Sequence, residues 1–89
     1  MTTHHAHPDI IKRLKRAEGH LKSVITMLEE EQGCLDIAQQ LQAVESAIGN
    51  AKKALVHDHI DHCLEDTVRK GTQSADDTIR EFKAITKYL

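Results

Sequence analysis

CLDIAQQLQAVESAIGNAKKALVHDHIDHCLEDTVRK, residues 34–70, is the stretch that decides the fold. It holds no proline, and its only glycine is Gly49, so the simplest reading is one helix of roughly 50 Å at 1.5 Å rise per residue. With Cys34 at position a of a heptad, Leu41, Ile48, Leu55 and His62 take the later a positions, and Ile37, Val44, Ala51 and Asp58 take the d positions. The seam is apolar until it reaches the histidines.

Before this stretch, Pro8 suits the first turn of a helix, and Ile10, Ile11, Leu14, Ala17, Leu21, Val24, Ile25 and Leu28 recur at helical spacing. Gly33 provides the break, after the acidic run Glu29, Glu30 and Glu31, so the first helix is expected over about 8–31. After it, Gly71 interrupts. Ser74 reads as an N-cap with Asp76 and Asp77 in the first turn of a third helix, about 75–88, with Ile79, Phe82, Ile85 and Leu89 as its buried stripe. The chain is thus read as all-α, with three helices in a single domain over 1–89 and a flexible histidine-rich start at 1–7.

At 89 residues, a lone domain buries only about 60% of the surface its unfolded form exposes. Phe82 and Tyr88 are the only aromatic residues, so an aliphatic core shared between subunits is the expected support. Two cysteines are too few for a secreted disulfide scaffold, and no stretch reads as a signal peptide or membrane span; a reducing cytoplasm is the expected compartment. A net charge of -2 gives no global argument for nucleic acid, but its distribution is uneven. Lys12, Arg13, Lys15, Arg16 and Lys22 cluster early, and Lys52 and Lys53 form a second basic point.

The segment His57-Asp58-His59-Ile60-Asp61-His62-Cys63 carries the sharpest chemical signal. His59 and Cys63 are four apart and share a helical face, so one ion can take both. Imidazole with thiolate suits zinc, nickel, cobalt or cuprous ions and does not suit magnesium or calcium. Cys34 lies 25 residues before His59, roughly 37 Å along a helix, so the two cannot meet on one straight helix. In an antiparallel dimer, Cys34 of one chain arrives beside His59 and Cys63 of the other, and two-fold symmetry makes two such sites.

Each of these residues also has a plainer reading. A cysteine at a helix start is commonly an inert small residue, and a face bearing His59 and Cys63 can be merely solvated. His57 and His62 read as exposed or supporting, while His4, His5 and His7 are either a loose tail or the source of a fourth ligand. The candidate DNA contacts Lys12, Arg13, Lys15, Arg16, Lys52 and Lys53 can equally be the wet side of amphipathic helices. No helix-turn-helix, basic-zipper or zinc-finger pattern is present to decide between these.

Over essentially its full length the chain resembles the CsoR/RcnR family of metal-sensing repressors. Lys12-Arg13-Leu14-Lys15-Arg16-Ala17-Glu18-Gly19-His20-Leu21 is similar to the family's basic signature in helix one, and Gln39-Gln40-Leu41-Gln42-Ala43-Val44 to its signature in helix two. Cys34 falls at its first cysteine ligand, and His59 with Cys63 completes the set. The resemblance implies antiparallel four-helix-bundle dimers paired into a dimer-of-dimers tetramer. It also implies metal held by Cys34 of one chain with His59 and Cys63 of another, and operator DNA held in the metal-free state by a face including Arg13, Arg16, Lys52 and Lys53.

This chain departs from the pattern in two places. His20 stands where a glutamine usually follows the helix-one glycine, and Gly33 where copper sensors carry a tyrosine. Cys63 argues against the formaldehyde-sensing branch, and the histidine-rich start resembles nickel and cobalt sensors. The resulting expectation is a cytoplasmic repressor released from operator DNA by Ni(II) or Co(II), with Cu(I) next and Zn(II) behind, derepressing a metal-efflux gene. Its alternatives are a Cu(I)-responsive repressor and a metal buffer or chaperone that never touches DNA. An enzyme is not expected, because no residue stands out as a general base and a shared symmetric seam leaves little room for an organic substrate.

Overall fold

The computed structural model describes residues 7–70 and 75–89, and the side chains of these except at 63, 64, 66–70, 75 and 78. Three helices follow one another, α1 (Pro8–Glu29), α2 (Cys34–Lys70) and α3 (Ala75–Thr86), and no strand occurs among the described residues. The protein is all-α. Gly71 and Ser74, the expected break and cap before the third helix, lie outside the described residues. No described helix is long and apolar enough to cross a membrane.

α1 starts where proline costs least. Pro8 occupies the first turn, where its missing N–H has no intrahelical partner to lose, and Asp9 complements the positive helix end. His7 is the N-cap; its side chain makes no capping bond, and its carbonyl accepts the Ile11 N–H at 2.9 Å.

The end of α1 differs from the sequence expectation. The helix closes at Glu29, and the left-handed residue of the turn is Glu31, at φ 57°, rather than Gly33. The Gln32 N–H donates to the Met27 carbonyl at 3.0 Å and the Glu31 N–H to the Leu28 carbonyl at 3.1 Å, the paired bonds of a Schellman closure. Gly33 instead serves the next helix, its carbonyl accepting the first intrahelical bond of α2 from the Ile37 N–H at 3.1 Å. A glutamate in left-handed conformation carries a steric cost that glycine avoids, and no basic residue in the last turn offsets the acids at this negative helix end. Glu31→Gly is therefore expected to raise the unfolding free energy by about 1 kcal/mol. Urea denaturation checks this, and a destabilised variant would mean that the Glu31 carboxylate supplies an interaction worth more than the strain.

Two compact units divide the chain, with the boundary within α2. In the unit His7–Ala51, a four-residue connection turns the chain back on itself and makes α1 and the first part of α2 antiparallel neighbours. Val24, Ile37 and Val44 form the buried cluster, with Met27 packed against it, and Ala17 and Ala51 are buried as well. Small and β-branched side chains at these points allow the helices to approach closely. The heptad seam divides here: the d residues Ile37, Val44 and Ala51 are buried, whereas the a residues Leu41 and Ile48 stay exposed. Leu14, Leu21 and Leu28, spaced by seven on α1, are exposed too.

The unit from Lys52 onward joins the second part of α2 to α3. Val56 and His59 are buried in it. The apolar stripe expected inside α3 is mostly outside: Ile79 is 52% exposed, Phe82 36% and Leu89 61%, and only Ile85 among them is half-buried. A 12-residue helix against one neighbour covers only part of its apolar arc, so the rest is open in a single chain.

Candidate metal centre and DNA-binding residues

Among the described residues, His59 is the one buried polar side chain, at 7% exposure. Its Nε2 lies 3.4 Å from Oε1 of Glu81 on α3, within the same unit. A buried imidazole is oriented by whatever its ring nitrogens meet, and a carboxylate on one nitrogen sets both the tautomer and the direction of the other. Cys63 follows one helical turn later in α2; its side chain lies outside the described set.

Nothing in the sequence singles out Glu81. It sits among ordinary surface-type residues of α3, and only burial of His59 reveals that the ring needs a partner there. The local signal is the histidine itself: a buried one implies an acceptor on another element, but not which one.

Cys34 is the first residue of α2, exposed and with a free thiol. It belongs to the other unit, 25 residues from His59 along one continuous helix. Among the described residues of one chain, no three His, Cys, Asp or Glu come together to hold an ion. Of the N-terminal candidates, His4 and His5 lie outside the described residues, and His7 is half-buried at the start of α1. The donor chemistry of Cys34, His59 and Cys63 fits a borderline-soft transition metal.

The other histidines have separate surroundings. His62 pairs along its own helix, with Nε2 3.6 Å from Asp58 Oδ1 and Nδ1 3.9 Å from Glu65 Oε2. His57 is exposed. His20 joins α1 to α2: its Nε2–H donates to Gln40 Oε1 at 2.6 Å. The departure at position 20 thus places a ring where it reaches the second signature segment, tying the two family motifs together within one unit. Lys12, Arg13, Lys15 and Arg16 on α1, and Lys52 and Lys53 on α2, are all exposed.

The chain thus combines a buried histidine beside a carboxylate, a cysteine one helical turn away and an exposed basic run on α1. Residues 6–87 match the family described as metal-sensitive transcriptional repressor, and the chain belongs to that family. It is 36% identical over 80 residues to the copper-sensing transcriptional repressor CsoR of Bacillus subtilis (strain 168), covering 88% of this chain and 79% of that one. It is 35% identical over 78 residues to the copper-sensing repressor RicR of Mycobacterium tuberculosis (strain ATCC 25618 / H37Rv), covering 88% and 81%.

Among solved structures, the copper-sensing repressor CsoR with Cu(I) from Geobacillus thermodenitrificans NG80-2 aligns with TM-score 0.80 and 31% identity over 98% of this chain and 91% of that one. The nickel-responsive regulator InrS aligns with TM-score 0.83 over 100% and 99%; at 24% identity this is a likeness of fold. The family is one of transcriptional repressors, not enzymes, which carries with it metal sensing, operator DNA and oligomerisation in general terms.

Proposed function

We propose that the protein is a cytoplasmic repressor of a metal-efflux gene, which holds operator DNA in the metal-free state and releases it when Cys34, His59 and Cys63 take up Ni(II) or Co(II). The observation that carries this is the buried His59 held by Glu81, with Cys63 one turn away. Nε2 faces Glu81, so ligation through Nδ1 leaves that pair intact. Glu81 then acts by positioning the ring, and Glu81→Gln is expected to lower metal affinity 10–100-fold. A competition titration against a chelator measures this, and an unchanged constant would remove Glu81 from the site.

Cys34 reaches the other two ligands only from a neighbouring chain. Exposed Leu41, Ile48 and Leu55 on α2, and Leu14, Leu21 and Leu28 on α1, supply the apolar surface for that neighbour in an antiparallel four-helix bundle. Two such dimers make the tetramer of this reading, each chain contributing residues 1–89 as one metal-sensing and DNA-binding domain. Lys12, Arg13, Lys15, Arg16, Lys52 and Lys53 hold phosphates; ligand uptake favours the tetramer that holds them less well, and linkage requires DNA to weaken metal binding by the same factor.

A Cu(I)-responsive repressor is the second reading, favoured by the copper-sensing relatives at 35–36% identity. Ligand number separates the two. Two thiolates and one imidazole suit cuprous copper, whereas nickel calls for a further donor, which His4, His5 or His7 supplies; Zn(II) remains third. Anaerobic titration of the reduced apo-protein with Ni(II), Co(II) and Cu(I), reading charge-transfer bands and DNA retention in the same samples, tests the function. Saturation as DNA is released by nickel or cobalt supports the first reading and release by copper alone the second; tight binding without any effect on DNA would make the protein a buffer.

A further inference from the structure

Two charges border the open apolar stripe of α2. Leu41, Ile48 and Leu55 recur every seven residues and are exposed, and the adjoining line of the helix, also spaced by seven, holds Ala38, Glu45, Lys52 and His59. Glu45 and Lys52 are both exposed. Neither has a partner at the spacings where side chains on one helix meet: the positions three and four residues away from either hold only Leu, Ile, Val, Gly and Gln. The two are seven residues apart, which is not such a spacing either. Among the described residues, no ion pair involves Glu45 or Lys52.

His59 decides which neighbour this line faces. In the proposed site His59 shares an ion with Cys34 of another chain, so the helix line that carries His59 lies against that chain, and Glu45 and Lys52 lie against it too. The register follows from counting. In an antiparallel pair, every step forward from Cys34 is met by a step back from Cys63 of the other chain. Glu45 stands eleven residues after Cys34, and Lys52 eleven before Cys63. An ion bridging His59 and Cys63 puts Cys34 level with the turn between them. Glu45 and Lys52 of opposite chains then come within four residues of level, roughly 6 Å along the helix, which their side chains span. Two-fold symmetry makes the contact twice.

We propose that Glu45 and Lys52 form reciprocal ion pairs across the α2 seam between two copies of this chain, and that these pairs set the register at which Cys34 meets His59 and Cys63. This rests on the shared-site reading and adds to it the residues that align the two chains. Charge selects the orientation: in a parallel pair Glu45 would face Glu45 and Lys52 would face Lys52, whereas the antiparallel pair opposes unlike charges at both points. Charge also selects the register. A slip of one heptad, which evenly spaced Leu41, Ile48 and Leu55 alone would tolerate, breaks both ion pairs and carries Cys34 roughly 10 Å from its fellow ligands. An ammonium has three donors, so pairing with Glu45 leaves Lys52 others for a phosphate at the rim of the seam.

The test uses the reduced, full-length apo-protein and a carbodiimide, which condenses a carboxylate and an amine in contact into an amide. Chains of natural and heavy nitrogen are mixed in urea and returned to buffer, and the cross-linked peptides are mapped by mass spectrometry. A Glu45–Lys52 cross-link is expected, with about half of it joining a light chain to a heavy one, as random mixing of an inter-chain contact requires. Glu45→Lys and Lys52→Glu, each alone, should raise the dissociation constant read by sedimentation about tenfold or more, because unlike contacts become like ones. The double exchange Glu45→Lys with Lys52→Glu should return it to the parent value. Anaerobic uptake of Ni(II) and Cu(I) should fall and recover in the same order, since each site is complete only between chains. A cross-link confined to chains of one isotope, single variants that assemble and bind metal like the parent, or a double exchange no better than the single ones would overturn the register pairs and leave the shared site standing. A parent protein that sediments as a monomer would remove the shared-site reading, and this inference with it.

Discussion

Mixing Cys34→Ala chains with Cys63→Ala chains should restore metal binding that neither variant shows alone. In each pure variant every site lacks one thiolate, and affinity should fall by more than the 10–100-fold typical of losing an orienting partner. In a mixed antiparallel dimer one site receives Cys34 from the Cys63→Ala chain together with His59 and Cys63 from the Cys34→Ala chain, and is complete; the other site lacks both cysteines. Two-fold geometry therefore limits the recovered stoichiometry to about half that of the parent protein, reached when every dimer is mixed. Differentially tagged chains, co-expressed and purified through both tags, allow the count by anaerobic titration. Full parent affinity in pure Cys34→Ala would remove Cys34 from the site, and no recovery in the mixed dimer would mean that ligands are not exchanged between chains.

Reversing charge at Arg16 and Lys53 should strongly weaken DNA binding and leave metal binding alone. Both side chains are exposed; Arg16 lies on another helix, and Lys53, six residues before His59 on α2, is about 120° around the helix from it. Removing one cation–phosphate pair lowers the salt dependence of binding by about 0.9 in the logarithmic slope, and a reversed charge adds repulsion from the polyanion. With several chains bound at once, Arg16→Glu with Lys53→Glu is expected to weaken operator binding on the order of a hundredfold or more at physiological salt. Fluorescence anisotropy across a salt series reads affinity and slope together. An unchanged slope would place the DNA-binding surface elsewhere, and a matching loss of metal affinity would show damage to the assembly rather than to a DNA face.

Much of the proposed site was legible in the linear pattern because metal ligation constrains both residue type and spacing. His59 and Cys63 declare themselves by lying one helical turn apart, and the uninterrupted run from Cys34 makes its separation from them a matter of helix rise. Glu81 was not legible, since its part depends on which residue of α3 comes to lie against a buried ring. His20 was visible as a departure, but its meaning came only with Gln40 2.6 Å away. The left-handed residue of the turn after α1 was not legible for a related reason. Glycine is the residue that pattern favours for a left-handed position, whereas the bonds closing on Met27 and Leu28 put that conformation at Glu31.

By itself the sequence determined three helices, an unbroken α2 and the soft-donor character of the proposed ligands, because helix breakers, apolar period and donor chemistry are local properties. Only the tertiary structure decided which half of the α2 seam is spent inside the chain. Ile37 and Val44 face α1, while Leu41 and Ile48 remain outside, although a heptad treats the a and d positions alike. The same holds for the unit from Lys52 onward, where Phe82 of α3 stays open while His59 and Val56 of α2 are buried. Amphipathic pattern states how much apolar surface a helix must cover; which neighbour covers it, and whether that neighbour belongs to the same chain, depends on packing between elements distant in sequence.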